Sequence, residues 1–200
     1  MSYFPHILAF VFFIFFVLSA LNPLDKTVWI VEIIPILSIY LLLIMTYKKF
    51  KFSNTSYTLI FIGLFWHTIG AHYTFAEVPF DFITNLFNFE RNNFDRIGHI
   101  VVGFYAYPVA EFLIRKKYAN KVIASFFALF FITSIAAAYE IVEWGYAVIE
   151  GGDAGIEFLG SQGDAWDAQK DMLCDIVGAI IVLCLLWIYK LKEREKNHDN

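Results

Sequence analysis

The chain is 200 residues long, 59% of them AVILMFWYC, with 23 Phe and a mean hydropathy of +0.60. A soluble domain averages roughly 45–50% apolar residues even with Gly counted, so an ordinary aqueous surface is excluded; two Cys and this apolar content also exclude disulfide-scaffold, collagen-like and disordered classes. Fifteen Lys+Arg against 19 Asp+Glu give a net charge of −4, which leaves no basic domain and excludes a nucleic-acid partner.

At about 20 apolar residues per spanning helix, this composition is used up by about six spans, and residues 1–200 read as a single integral membrane domain. In chain order the apolar runs are 4–21, closed by Asn22-Pro23, then 27–47, 57–76, 97–114, 122–148 and 172–189. Each can cross a hydrocarbon core of about 30 Å. Backbone amides in lipid must be satisfied within the segment, so the fold class is all-α: a polytopic membrane helical bundle of six transmembrane helices. The first run is kept as a membrane helix rather than a signal peptide, because Met1-Ser2-Tyr3 carries no cation and the run exceeds the usual h-region of about 7–15 residues. Pro35 and Pro108 predict kinks in the second and fourth helices. Cys174 and Cys184 lie ten residues apart on the sixth, about 15 Å along a helix, too far to bridge each other; they read as small buried hydrophobes.

Eleven of the 15 cations fall in three alternate segments: Lys48, Lys49 and Lys51; Arg115, Lys116, Lys117 and Lys121; Lys190, Lys192, Arg194 and Lys196. By the positive-inside rule these segments and both termini are cytoplasmic, and loops 22–26, 77–96 and 149–171 face outward. Thirteen of the 19 acids lie in the outward stretches 77–96 and 140–175. Glu150, Asp153 and Glu157, beside Gly151, Gly152 and Gly155, read as a solvated loop. Others intrude on the spans. Asp95 and His99 are i,i+4 and share one face of the fourth helix; Glu140 and Glu143 are i,i+3 in the fifth; Asp171 and Asp175 are i,i+4 at the start of the sixth. His67 and His72 occupy the outer half of the third, His67 reading as a helix-packing histidine. Glu32 and Glu111 are assigned to cytoplasmic ends, with apolar helix between them and the outer groups.

Intramembrane ionisable groups face the bundle interior, pair with each other or line a wet cavity. Groups at one depth on several helices therefore predict an acidic, His-containing pocket on the outward face. The stretch 158–171 leads into it. Gly160 and Gly163 permit tight turns, Ser161 can cap, Trp166 suits an interfacial anchor, and Asp164, Asp167, Asp171 and Asp175 recur at helical spacing, forming one stripe if the helix begins near Asp164. The expected catalytic residues are His99, Glu140, Glu143 and Asp171. Asp95, Asp164, Asp167 and Gln169 are the expected ligand-binding residues, Asp95 also orienting His99. His99, Glu140, Glu143, Asp171 and Asp175 form the candidate metal set: hard oxygens and one imidazole suit a divalent ion, and the same groups could also transfer protons without metal. No phosphate loop, nucleophile triad or dinucleotide fingerprint occurs.

The segments Asp95-Arg-Ile-Gly-His99, Glu140-Ile-Val-Glu143-Trp144 and Gly160-Ser-Gln-Gly-Asp-Ala-Trp-Asp-Ala-Gln-Lys-Asp171, with Asp175 and Gly178, resemble the YjdF-like bacterial inner-membrane proteins over essentially the whole chain. That resemblance implies a multi-pass protein of the bacterial inner (plasma) membrane whose activity is uncharacterised. A more distant similarity is to VanZ-like proteins, which carry Asp-x3-His, Glu-x2-Gln and Asp-x3-Asn-x2-Gly at the corresponding helix ends; here Glu143 replaces Gln and Asp175 replaces Asn, a more acidic set. VanZ-like proteins are associated with glycopeptide resistance, which implies a link to the cell envelope. The leading expectation is a pocket that binds or processes an envelope or lipid head-group ligand from the bilayer, with or without a divalent metal. The alternatives are an ion- or proton-coupled transporter and a non-catalytic membrane scaffold.

Overall fold

The computed structural model describes residues 3–152 and 160–188. The expectations for Asp153 and Glu157, for Glu150's side chain, and for the cations after Ile188 lie outside the described residues. The elements are α1 (Phe4–Ser19), α2 (Lys26–Thr46), α3 (Asn54–Tyr73), α4 (Asp81–Leu86), α5 (Phe94–Gly103), α6 (Ala106–Arg115), α7 (Lys121–Glu150) and α8 (Asp167–Ile188). No strand occurs among the described residues. Local chemistry sets the starts: the Asp25 carboxylate accepts from Thr27 and Val28 N–H at 2.6 and 2.9 Å, and Ser53 and Asn120 side chains cap α3 and α7.

Four helices are long and apolar enough to cross a membrane: α2, α5 continued by α6, α7 and α8. The apolar α1 is shorter, at 16 residues. The 20-residue α3 has the length, but its Asn, Thr, Ser and His residues lower its hydropathy. The short α4 was not expected within loop 77–96.

Pro35 sits inside an unbroken α2. At Pro108 the effect is stronger than a kink, because the fourth helix divides into α5 and α6 around Phe104 and Tyr105. Pro108 has no N–H for the Phe104 carbonyl and its ring crowds that group. The carbonyl is taken instead by the Tyr107 N–H at 3.2 Å.

Two apolar cores result. Phe12, Ile33, Ile36, Ile60, Leu64 and Ala71 join α1, α2 and α3. Ala106, Ala110, Ala128, Ile132, Val182 and Leu186 join α6, α7 and α8. Tyr105, at the break, packs against both. Each core mixes large side chains such as Phe12, Leu64, Ile132 and Leu186 with alanines that let the helices approach, while Phe10, Phe13, Leu42, Phe126, Phe130 and Ile180 are exposed.

The tightest crossing is α5 on α8. A Cβ at Gly178 would collide with the Ile100 carbonyl, and one at Gly103 would collide with the backbone of Asp175 and Ala179. These two glycines let the backbones touch, and they position the site. His99 is one turn from Gly103 on the same face, and Asp175 is three residues from Gly178, so the crossing brings imidazole and carboxylate together.

Candidate functional site

The ends of α1 and α3 and the starts of α2, α5 and α8 share one end of the bundle, rich in acids; the opposite end carries Lys48, Lys49, Lys51 and Arg115. At the acidic end, loops 74–93 and 160–166 are clamped to each other. The Asn92 side-chain amide donates to the Ala76 and Val78 carbonyls at 2.9 and 2.8 Å, while its backbone N–H and carbonyl bond the Gln162 side chain, both at 2.9 Å. Gly160 and Gly163 have φ of 62° and 85°, as tight turns at those positions require.

Beneath this clamp lies an ionic latch. Arg96 donates to Asp164 at 2.6 Å and to Asp167 at 2.9 Å; Arg91 bonds Asp167 and the Ser161 carbonyl; Lys170 reaches Asp164 at 2.6 Å. Asp164 and Asp167 are thus paired with cations from the facing loop (Arg91), the first turn of α5 (Arg96) and, for Asp164, α8 itself (Lys170). Helix begins at Asp167, so Asp164 sits in the preceding turn and the expected stripe is one carboxylate shorter. The Lys170 and Arg96 bonds and the Trp166 N–H hold the Asp164 carboxyl well below the usual carboxylate range. Gln169 is exposed and takes part in neither clamp nor latch. Trp166 is 64% exposed, as an interfacial anchor would be.

One turn further in, Asp95, His99 and Asp171 each present a ligand atom within 4.8 Å of the others. His99 Nδ1–H donates to Asp175 Oδ2 at 2.9 Å. This leaves Nε2 facing Asp95 Oδ1 at 3.8 Å and Glu140 Oε1 at 4.0 Å. The expected role of Asp95 is corrected by this geometry: Asp175 orients the imidazole, and Asp95 stands with Asp171 and Glu140 on its open side. Asp171 and Asp175 are 3% and 0% exposed, yet Asp171 Oδ1, Asp175 Oδ1 and Glu140 Oε1 have no hydrogen-bond partner among the described residues. Arg96 Nε approaches Asp171 Oδ1 only to 3.6 Å. Buried carboxylate oxygens without donors are costly, and three of them are concentrated here.

Glu143 stands apart from that trio and lines a cavity of about 130 Å³ between α2, α3, α5 and α7, together with Trp66, His67, Asp95, Tyr139 and Asp175. At its side, His67 Nε2–H is shared between the Glu32 carbonyl at 3.0 Å and the Glu32 carboxylate at 3.1 Å, and the Tyr139 hydroxyl donates to the same carboxylate at 2.5 Å. Glu32 is therefore not at the cytoplasmic end assigned to it. α2 starts at Lys26 on the acidic end, so Glu32 is about 9 Å from that end at 1.5 Å per residue; counting from the preceding loop would have found it. His67 is the packing histidine expected, and His72 Nδ1 likewise holds the Ser19 carbonyl at 2.8 Å. Glu111 lies at the opposite end, as expected, bonded to Ser53, Ser56 and Arg115. Arg91 and Arg96 escaped the sequence reading. Their signal was that, with Lys26 and Lys170, they are the cations left outside the three cation-rich segments.

Residues 4–192 match the model of a family described as predicted membrane protein DUF2238. The chain is also 34% identical over 148 residues to the inner membrane protein YjdF of Escherichia coli (strain K12), covering 72% of this chain and 70% of that one. The chain belongs to this family. It is a multi-pass protein of the bacterial inner membrane, in keeping with its several apolar helices. No solved structure matches the DUF2238 chain.

Proposed function

We propose that the acidic end is an outward-facing site that holds one divalent cation between Asp95, His99 and Asp171, with Glu140 beside them, and that the ion engages a lipid or envelope head group. The bundle crosses the membrane six times in this reading, with α1 and α3 as the further spans and both termini cytoplasmic; Lys48, Lys49, Lys51, Arg115, Lys116 and Lys117 at the opposite end support that orientation.

The observation that carries the reading is the trio of ligand atoms within 4.8 Å, beside buried carboxylate oxygens that nothing donates to. Three protein ligands of mixed imidazole and carboxylate type with an open fourth position is the pattern of hydrolytic sites for zinc and similar ions. An ion so held supplies Lewis-acid activation of water against a phosphoester or glycosyl bond. Asp175 would act through His99, as a carboxylate behind a ligating imidazole does.

Elemental analysis of the detergent-purified protein after incubation with Mn²⁺ or Zn²⁺ and desalting tests this directly. About one ion per chain is expected, falling to background in Asp95→Asn/Asp171→Asn. A metal-free wild type, or equal metal in both proteins, would sink it.

A further inference from the structure

The cavity beside the ion trio is larger than a metal ion needs. Its volume of about 130 Å³ approaches that of engineered protein cavities of about 150 Å³ that take a benzene-sized guest. Its lining contains no Lys or Arg among the described residues, but it does include the carboxylates of Asp95, Glu143 and Asp175. Asp175 is fully buried with Oδ1 unpartnered. Glu143 makes no hydrogen bond or ion pair among the described residues. The same lining includes the aromatic side chains of Trp66, His67, Phe75 and Tyr139. His67 meets Phe75 and Tyr139 edge-on, with ring centroids 5.1 and 6.4 Å apart, and Trp66 is fixed by stacking on Phe94 at 4.4 Å and by donating to the Phe94 carbonyl at 3.1 Å. The Glu32 carboxylate behind His67 and Tyr139 adds negative potential.

Carboxylates and aromatic side chains lining one small space, with the His99 imidazole of the same lining engaged by Asp175 and no Lys or Arg among the described residues there, make the recognition chemistry of an organic ammonium group. We propose that this cavity binds an alkylammonium: the ethanolamine or choline moiety of a head group, or the free amine. This rests on the head-group reading above and extends it. A phosphoester on the ion at Asp95, His99 and Asp171 and an ammonium against Glu143 would be the two ends of one zwitterionic ligand, so the ion trio and the cavity each read a different charge.

Calorimetric titration of the detergent-purified protein with choline and ethanolamine, against the neutral choline isostere 3,3-dimethylbutan-1-ol, tests the proposal. The two amines should bind at least tenfold more tightly than the neutral compound. Glu143→Gln, which keeps the side-chain shape, should weaken them at least tenfold, while Ser38→Ala, on the exposed face of α2 and outside the cavity lining, should change binding less than twofold. Equal binding of the neutral isostere, or unchanged amine binding in a folded Glu143→Gln protein, would overturn it. Repeating the titration in nanodiscs separates the sources: competition by phosphatidylethanolamine but not phosphatidylglycerol assigns the site to a lipid head group, and equal affinity in both assigns it to the free amine. Metal content measured on the same samples keeps the two readings apart. Metal bound without amine binding rejects the cavity proposal alone, and amine binding by a metal-free protein rejects the ion.

Discussion

His99 Nδ1 donates to Asp175 Oδ2 at 2.9 Å across a crossing where two glycines, Gly103 and Gly178, let α5 and α8 touch backbone to backbone. The bond fixes the ring so that its free Nε2 faces Asp95 and Glu140. An acidic, histidine-bearing face of the bundle is thus a product of helix packing as much as of the residues themselves.

The orienting role of Asp175 is separable from metal ligation. Asp175→Asn keeps the shape but loses the carboxylate, and a second-sphere change of this kind typically costs about 10–100-fold in metal affinity. Chelator competition on the purified variant should show such a weakened but measurable site, in contrast to the loss expected for Asp95→Asn/Asp171→Asn. Wild-type affinity in Asp175→Asn would show that the imidazole needs no such support.

The α5–α8 contact has no room for a methyl group. Gly178→Ala places a Cβ against the Ile100 carbonyl, which is backbone and cannot swing aside. Overpacking of this kind costs about 1–3 kcal/mol, and it should also separate His99 from Asp175. A lowered melting temperature in detergent together with reduced metal content is expected. Gly145→Ala, where no atom lies within 4 Å of the added carbon, is the matched control and should be neutral.

At the opposite end, Glu111 is 0% exposed and accepts from the Ser53 N–H at 2.8 Å, the Ser53 hydroxyl at 2.7 Å, the Ser56 hydroxyl, and Arg115 at 2.5 Å. It ties the start of α3 to α6. Glu111→Ala would strand these donors at a cost of roughly 3 kcal/mol, the lower end for a broken buried pair, because Arg115 keeps some access to water. Thermal unfolding should report that loss while metal content stays at the wild-type level. A metal loss at constant stability would contradict the separation of the two ends.

Asp164 gives the latch a pH dependence of known sign. Its carboxyl is held below its ordinary value by Lys170, Arg96 and the Trp166 N–H, so its contribution is complete above the unfolded-state value of about 3.9 and declines as pH falls below that, toward the folded-state value. Tryptophan emission or limited proteolysis should show loops 74–93 and 160–166 loosening as the pH falls below about 4. Asp164→Asn should already be loosened at neutral pH and should lose this contribution to the acid response.

The sequence by itself determined the helical, membrane-embedded character of the chain, the position of most helices, and the segregation of cations from acids. It also brought Asp95, His99, Glu140, Glu143, Asp171 and Asp175 to one depth. Those properties are one-dimensional: apolar run length fixes what a helix can cross, and a rise of about 1.5 Å per residue fixes how deep a side chain lies. Depth alone even contained the position of Glu32, since α2 begins at the acidic end. What tertiary structure decided was the arrangement around the bundle axis. The α5–α8 crossing gave His99 to Asp175 rather than to Asp95. Arg91 from the facing loop and Arg96 from the first turn of α5 claimed Asp164 and Asp167, and left Asp171 and Glu140 each with an oxygen that no described residue hydrogen-bonds. The missing N–H of Pro108 divided one expected span into α5 and α6 and set Tyr105 between the two cores. Which helix faces meet depends on contacts between residues far apart in the chain, and in lipid those contacts are chosen by close fit at small residues, since apolar character is shared by every face.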